Sequence, residues 1–217
     1  MQRVNCLLHG NELPFKASMV RHMGPTKGPS SYQGPINKAI HDPHLNERPI
    51  VKFKKIDCPD FPVLPEEVQK DLSTDQLYLY DICHGLISGD IDKSLTAHSI
   101  GDQIQSRWVN SGSAVRRHYA SEEKPSQHLI ALVNIMVKLY AKMWFRIKCN
   151  PKAIDGPIHI FEMISIARTF PKEDKDVLFK CIQWNVYFAH SEWIFLTIAS
   201  DPDPSLRQKA VELILKV

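Results

Sequence analysis

The sequence predicts a mainly α-helical protein, a multi-helix bundle with a short, incomplete β region at its N-terminus. Two observations lead to this prediction. From residue 66 to the end of the 217-residue chain, apolar residues recur at helical spacing. The first 65 residues instead hold nine of the fifteen prolines, and all four tryptophans come after residue 100. The packed core is therefore expected in the later two thirds of the chain.

Composition excludes several classes of protein. Hydrophobic residues make up 43% and charged residues 24%, which excludes wholesale disorder, and a net charge of +3 does not by itself identify a nucleic-acid binder. The sequence shows neither the apolar run of a membrane span nor a signal peptide. Five scattered cysteines without a C-x-x-C motif are typical of reduced thiols. We therefore expect an intracellular protein, nuclear or cytoplasmic, that is not secreted and does not contact a membrane.

Three regions are predicted along the chain. Residues 1–23 are expected to form a short strand at 4–8 and then a helix. Residues 24–65 read as a loop region rich in proline and glycine, with one edge strand at 49–56 whose lysines point outward. Residues 66–217 are expected to form an all-α domain. Because one or two strands do not make a stable sheet, the predicted sheet is incomplete.

The helical domain is predicted element by element. Ser73, with Gln76 three residues later, forms the capping box of a helix that ends at Gly89. A weaker helix is interrupted at Gly112. The strongest pattern keeps one apolar face for more than five turns. The weaker helix is predicted from Ile104 to Tyr119, and the strongest from Pro125 to about Lys148. Further helices are predicted at 157–169, from Pro171 to Val186, after His190 and from Asp203 onward.

One pair of residues has the spacing of metal ligands. Cys6 and His9 stand three residues apart at the end of the predicted strand. Structural zinc sites take four such ligands, and catalytic sites take three and a water. Since no second C-x-x-C or H-x-x-x-H accompanies the pair, we expect a structural motif and no metal.

The sequence lacks the motifs of the common hydrolases and kinases, so no enzyme activity is predicted. Basic side chains gather in two places: at Lys52, Lys54 and Lys55, and at Arg107, Arg116, Arg117 and His118 beside Trp108 and Tyr119. Cations mixed with aromatic rings suit contact with a nucleic-acid backbone. A solvated helix face explains the same residues equally well. The candidate nucleic-acid-binding residues are Arg107, Trp108, Arg116 and Arg117.

Five short blocks, in order along nearly the whole chain, resemble a known family. They are Cys6 to Pro14, Gly34 to Lys38, Leu72 to Gln76, Ser106 to Trp108 and Tyr187 to Glu192. The series resembles a group of uncharacterised invertebrate proteins derived from transposable elements, similar in layout to hAT-type transposases. The resemblance implies an RNase H-like domain in which two aspartates and a glutamate hold two divalent metals, Mg²⁺ in the full-length enzymes. Such a site clamps the attacking and leaving oxygens of the scissile phosphate.

The resemblance assigns roles residue by residue. Cys6 and His9 match the C-x-x-H segment that follows the second aspartate of the family. Arg107 and Trp108 match its Arg-Trp pair. Glu192 is the nearest counterpart of the catalytic glutamate, although Trp193 stands where the family has arginine.

The departures from the family lead to the functional prediction. This chain begins five residues before Cys6, so the two aspartates have no counterpart. We therefore expect a C-terminal fragment with an RNase H-like β remnant, without cofactor or catalytic activity. We expect such a fragment to keep at most a weak, residual contact with DNA. The alternative, from another class, is an α-helical module that binds a protein partner.

Overall fold

A computed structural model of the chain describes residues 7–26, 32–92, 95, 107–152, 155–183, 198–199, 201 and 203–215. Helices dominate these residues, and their β structure is limited to an isolated antiparallel bridge between Thr26 and Tyr32. The prediction of a mainly α protein is confirmed.

The helices in the described residues have the following bounds. They are α1 (Leu7–Met23), α2 (Pro35–Ile40), α3 (Glu66–Lys70), α4 (Thr74–Ser88), α5 (Arg107–Ala120), α6 (Gln127–Cys149), α7 (Gly156–Ala167), α8 (Lys172–Ile182) and α9 (Pro204–Ile214). A short 3-10 helix, Leu45–Glu47, follows α2. Within α6, Met136–Ala141 has π-helical geometry, in which backbone bonds join residues five apart.

The chain divides into two compact units. The first unit is Ser18–Lys142, and the second combines Met1–Ala17 with Met143–Val217. In the first unit, α5 packs against α4, α2 and the first part of α6, so this unit is built around α5. In the second unit, α7 packs against α8.

Helix α4 confirms the capping prediction. The Ser73 N–H donates to Gln76 Oε1 over 3.2 Å, and the Ser73 side chain accepts from the helix backbone in return. At the other end, Gly89 has a φ of 88°, a left-handed conformation that suits glycine, and its N–H donates to the Gly85 carbonyl. The helices predicted at the positions of α6, α7, α8 and α9 are also confirmed, whereas the one predicted after His190 lies outside the described residues.

The edge strand predicted at 49–56 is wrong. The Val51 N–H donates to the Ala120 carbonyl over 3.0 Å, and the Ile56 N–H donates to the Leu86 carbonyl over 2.8 Å. Both acceptors lie near helix C-termini, where the last carbonyls have no donor within their own helix. Helix ends therefore supply the backbone partners that the sequence analysis expected from neighbouring strands.

The strand predicted at 4–8 is also wrong where the structure describes it. Leu7 and Leu8 form the beginning of α1, which places Pro14 inside this helix and not in its first turn. Residues 4–6 lie outside the described part. Since the described residues contain no sheet, the RNase H-like β remnant has no structural support.

Helix α6 is long and apolar enough to cross a membrane by length and composition alone, and it is the one such helix among the described residues. It spans 23 residues, but 72% of its most apolar window is buried inside the protein. A core helix passes the same test of length and composition. This burial is typical of a core helix.

Candidate nucleic-acid interface

Helix α5, which carries most of the predicted site residues, is buried along the whole part whose side chains the structure describes, although its sequence is polar. Every residue from Asn110 to Ala120 is buried. A helix at a protein surface normally buries one apolar stripe and exposes the opposite face. Helix α5 has only a narrow apolar stripe, Trp108, Val115 and Tyr119, so the burial of its polar side could not be read from hydrophobic periodicity.

Arg116 lies in the core of the first unit and is 0% exposed. Its Nη1 donates a hydrogen bond to the Cys83 sulfur in α4 over 3.3 Å. Its Nε and Nη2 have no hydrogen-bond partner in the described part of the chain. The guanidinium lies against Gly112, where an added Cβ would be 2.7 Å from Nη2. The glycine that interrupts the helical pattern therefore leaves the space that this buried arginine occupies.

Arg117 is 1% exposed and holds backbone carbonyls of another segment. Its Nη2 donates to the Asn46 carbonyl over 3.1 Å and also to the Arg48 carbonyl. Burial lowers the pKa of the Arg117 guanidinium from its ordinary value. A buried guanidinium has to be uncovered before it can reach a phosphate. The placement of Arg116 and Arg117 therefore does not support their predicted role in binding nucleic acid.

The structure leaves the other predicted site residues largely undescribed. Arg107 and Trp108 begin α5, and His9 lies in α1, but the side chains of all three are outside the described part. Cys6 and Glu192 fall outside it altogether. Their predicted roles stay predictions.

The described residues contain no group of three or more histidine, cysteine or acidic side chains that could hold a metal. His22 and His128 bring their Nδ1 atoms to 3.2 Å from each other. A pair is short of the three protein ligands that a zinc site needs. This contact is therefore accounted for as a hydrogen bond between two imidazoles.

The second basic group of the sequence lies at the surface of the first unit. Residues 46–56, named here the lysine segment, run from the end of the 3-10 helix into a stretch without helix or strand, in which Lys52, Lys54 and Lys55 are exposed. None of the three forms an ion pair with a described residue, whereas Arg48 pairs with Asp42. Three unpaired ammonium groups within four residues attract a polymer of negative charge.

The lysine segment is fixed to α5 through its backbone and one aromatic side chain. The Tyr119 hydroxyl donates to the Lys54 carbonyl over 2.8 Å. The Tyr119 ring also packs near Phe53, with ring centroids 6.3 Å apart. Since side chains alternate along an extended chain, Phe53 faces α5 while Lys52 and Lys54 face solvent.

No known protein family, curated protein or solved structure matches this chain. The resemblance to hAT-type transposases therefore stays a prediction. The candidate interface rests on the positions of its own residues.

Both basic groups are visible in the sequence, and the predicted nucleic-acid-binding residues all lie in α5. A signal in the sequence separates the two groups. Lys52 and Lys54 alternate with apolar residues, which is typical of an extended chain with one exposed side. Arg116 and Arg117 instead follow the small residues 111–113, which let neighbouring helices approach closely.

Proposed function

We propose that the chain is a non-catalytic, transposon-derived helical protein that contacts the phosphate backbone of nucleic acid through Lys52, Lys54 and Lys55. The observation that carries the proposal is the exposure of these three lysines, without ion-pair partners in the described residues, on a segment fixed to helices. The resemblance to hAT-type transposases favours nucleic acid over other acidic polymers. The contact is sequence-tolerant, because ammonium groups bind phosphates and do not distinguish base edges.

The proposed contact is weak. Non-specific binding of this type has dissociation constants of roughly 10⁻⁴ to 10⁻⁶ M at physiological salt. The net charge of +3 adds little long-range attraction. Three phosphate contacts correspond to a slope of about −3 for log K against log salt.

The test is a fluorescence anisotropy titration of a labelled DNA duplex and a labelled single strand at several salt concentrations. In the test variant, Lys52, Lys54 and Lys55 are all replaced by glutamine. The expected result is a salt slope reduced in magnitude by up to about 3, one unit for each lost phosphate contact.

A matched control separates this interface from net charge. Lys152, Lys180 and Lys209 are also exposed, and they lie in the second unit. Replacing these three by glutamine removes the same charge and should leave the slope nearly unchanged. Equal losses in the two triple variants, or no binding by the unchanged protein at low salt, would refute the proposal.

The alternative function is an α-helical protein-binding module, and one observation favours it. In the second unit, Ile164, Phe179, Ile182 and Gln183 line a groove of about 270 Å³ that is mostly apolar. Apolar clefts are common at binding sites. Nothing in the structure identifies an occupant for this groove, so the module ranks second. In the titration above, such a module would show no salt-dependent DNA binding.

A further inference from the structure

Beyond the 3-10 helix the lysine segment is neither helix nor strand, so its shape depends on contacts with the rest of the first unit. Its first part is held by Arg117, which donates to the carbonyls of Asn46 and Arg48. Its later part is held by the Tyr119 hydroxyl bond to the Lys54 carbonyl. These contacts come from two buried side chains of α5, Arg117 and Tyr119.

The contacts act on the backbone and leave the lysine side chains free to bind. Tyr119 is 1% exposed, as is Arg117, so neither side chain is available to a ligand at the surface. Helix α5 therefore influences the surface lysines only through the segment that carries them. A residue that acts through another in this way has a positioning role.

We propose that Arg117 and Tyr119 are positioning residues that pre-order the lysine segment for a polyanion, an inference that rests on the proposed function. Fixing the backbone of a residue costs conformational entropy. In the folded protein the lysine segment is already ordered before any ligand binds. The lysines therefore bind phosphates without a further ordering step, which raises affinity without adding a contact.

Pre-ordering and direct contact have different signatures in a salt titration. The slope of log K against log salt counts the phosphates that are neutralised, whereas its intercept also contains the cost of ordering the protein. Loss of a lysine lowers the slope. Loss of a positioning residue lowers K at every salt concentration and leaves the slope unchanged.

The test variant is Tyr119→Phe, which removes the hydroxyl and keeps the ring beside Phe53. We expect amide hydrogen exchange of residues 46–56 to become faster, and DNA affinity to fall about three- to tenfold, the range for loss of one hydrogen bond. The salt slope should stay within about 0.5 of that of the unchanged protein. Arg117→Lys, which keeps the charge and loses the planar fork, should act in the same direction.

Tyr80→Phe is the matched control. The Tyr80 hydroxyl bonds to Leu64 and Pro62 in a segment of the first unit without lysines, accepting from the Leu64 N–H over 3.2 Å and donating to the Pro62 carbonyl over 3.4 Å. This variant should leave DNA affinity unchanged.

The other possible results would refute either the positioning role or the proposed function. If Tyr119→Phe speeds exchange in the lysine segment but DNA affinity stays the same, pre-ordering does not contribute and the inference is wrong. A slope reduced as far as in the lysine variant would show that Tyr119 shapes the phosphate contact itself, which also overturns it. If the unchanged protein does not bind DNA at all, the proposed function fails and the positioning role fails with it.

Discussion

Arg116 donates a hydrogen bond from Nη1 to the Cys83 sulfur, 3.3 Å away, inside the first unit. A thiol is a weak acceptor. Burial raises the pKa of Cys83, while the neighbouring guanidinium acts in the opposite direction, and the net shift keeps the sulfur protonated. No described carboxylate lies within ion-pair distance of Arg116. Packing against Gly112 is therefore central to holding this side chain.

Gly112→Ala tests that packing. Alanine normally stabilises a helix interior by about 0.5–1 kcal/mol relative to glycine. Here the new methyl would lie 2.7 Å from Arg116 Nη2 and 3.0 Å from Met136 Cε, and these two side-chain ends must shift within a buried site, so we expect the usual gain to be cancelled or turned into a loss of up to about 1 kcal/mol in the free energy of unfolding, measured by urea denaturation. Combining Gly112→Ala with Arg116→Met should cost less than the sum of the two single changes. A Gly112→Ala protein that gains the full amount of about 0.5–1 kcal/mol would show that packing beside this glycine does not constrain the guanidinium.

The ion pair between Lys142 and Asp60 predicts an asymmetry between its two partners. The Lys142 side chain is 4% exposed and the Asp60 side chain 63%. Asp60→Asn leaves a buried ammonium without this carboxylate and should cost about 3 kcal/mol. Lys142→Met leaves a carboxylate that water can hydrate, and should cost less than about 1 kcal/mol. Equal losses in chemical denaturation would mean that the pair behaves as an ordinary surface salt bridge.

Cys58 predicts a loss of stability in alkaline solution. Burial, assisted by the Asp60 carboxylate, raises the pKa of the Cys58 thiol from 9.0 to about 11. Between these values the unfolded chain has released the thiol proton and the folded chain retains it, so the free energy of unfolding falls as pH rises. The expected loss from this group is about 1–3 kcal/mol. Unfolding of Cys58→Ser, followed from pH 8 to 11, should show a shallower decline than the unchanged protein, and identical profiles would contradict the prediction.

His118 predicts the opposite trend in acid. Burial lowers the pKa of this imidazole, which is 8% exposed. Below its ordinary pKa of 6.5 the unfolded chain binds a proton that the folded chain does not, so stability falls as pH decreases from about 6.5. Thermal unfolding of His118→Gln should depend less on pH between 5 and 7.

His44 is a control for that experiment. The Glu47 carboxylate raises the pKa of this exposed imidazole, so its contribution has the opposite sign and is lost as pH rises. His44→Gln should therefore not reduce the loss of stability in acid. If both histidine variants changed the profile in the same direction, burial would not be the cause.

Local signals in the sequence predicted the helices well, and long-range contacts account for the errors. The cap at Ser73 and the stop at Gly89 are both decided within four residues of the chain, and both are confirmed. The pattern at 49–56 predicts a strand because it fits an extended chain. Its backbone partners, such as the Ala120 carbonyl, lie far away in the sequence, and no local pattern reveals them.

The candidate site was harder to predict than the fold. Arginine is almost never fully buried, so Arg116 and Arg117 were placed at a surface. Their burial depends on the space beside Gly112 and on the carbonyls of Asn46 and Arg48, which are features of the folded protein. The exposure of Lys52, Lys54 and Lys55 could be predicted from the sequence, because a lysine at the surface needs no partner from elsewhere in the chain.

The π-helical turn Met136–Ala141 influences which changes of length this gene can tolerate. A turn with bonds between residues five apart accommodates one residue more than a regular turn. Losing a single codon there would restore regular geometry and keep the following side chains in nearly the same orientation relative to those before, whereas the same loss in a regular part of the helix would rotate them by about 100°. Lys142, the next residue, would still face Asp60. Single-codon deletions should therefore be tolerated better in this stretch than in the regular turns of α6 on either side.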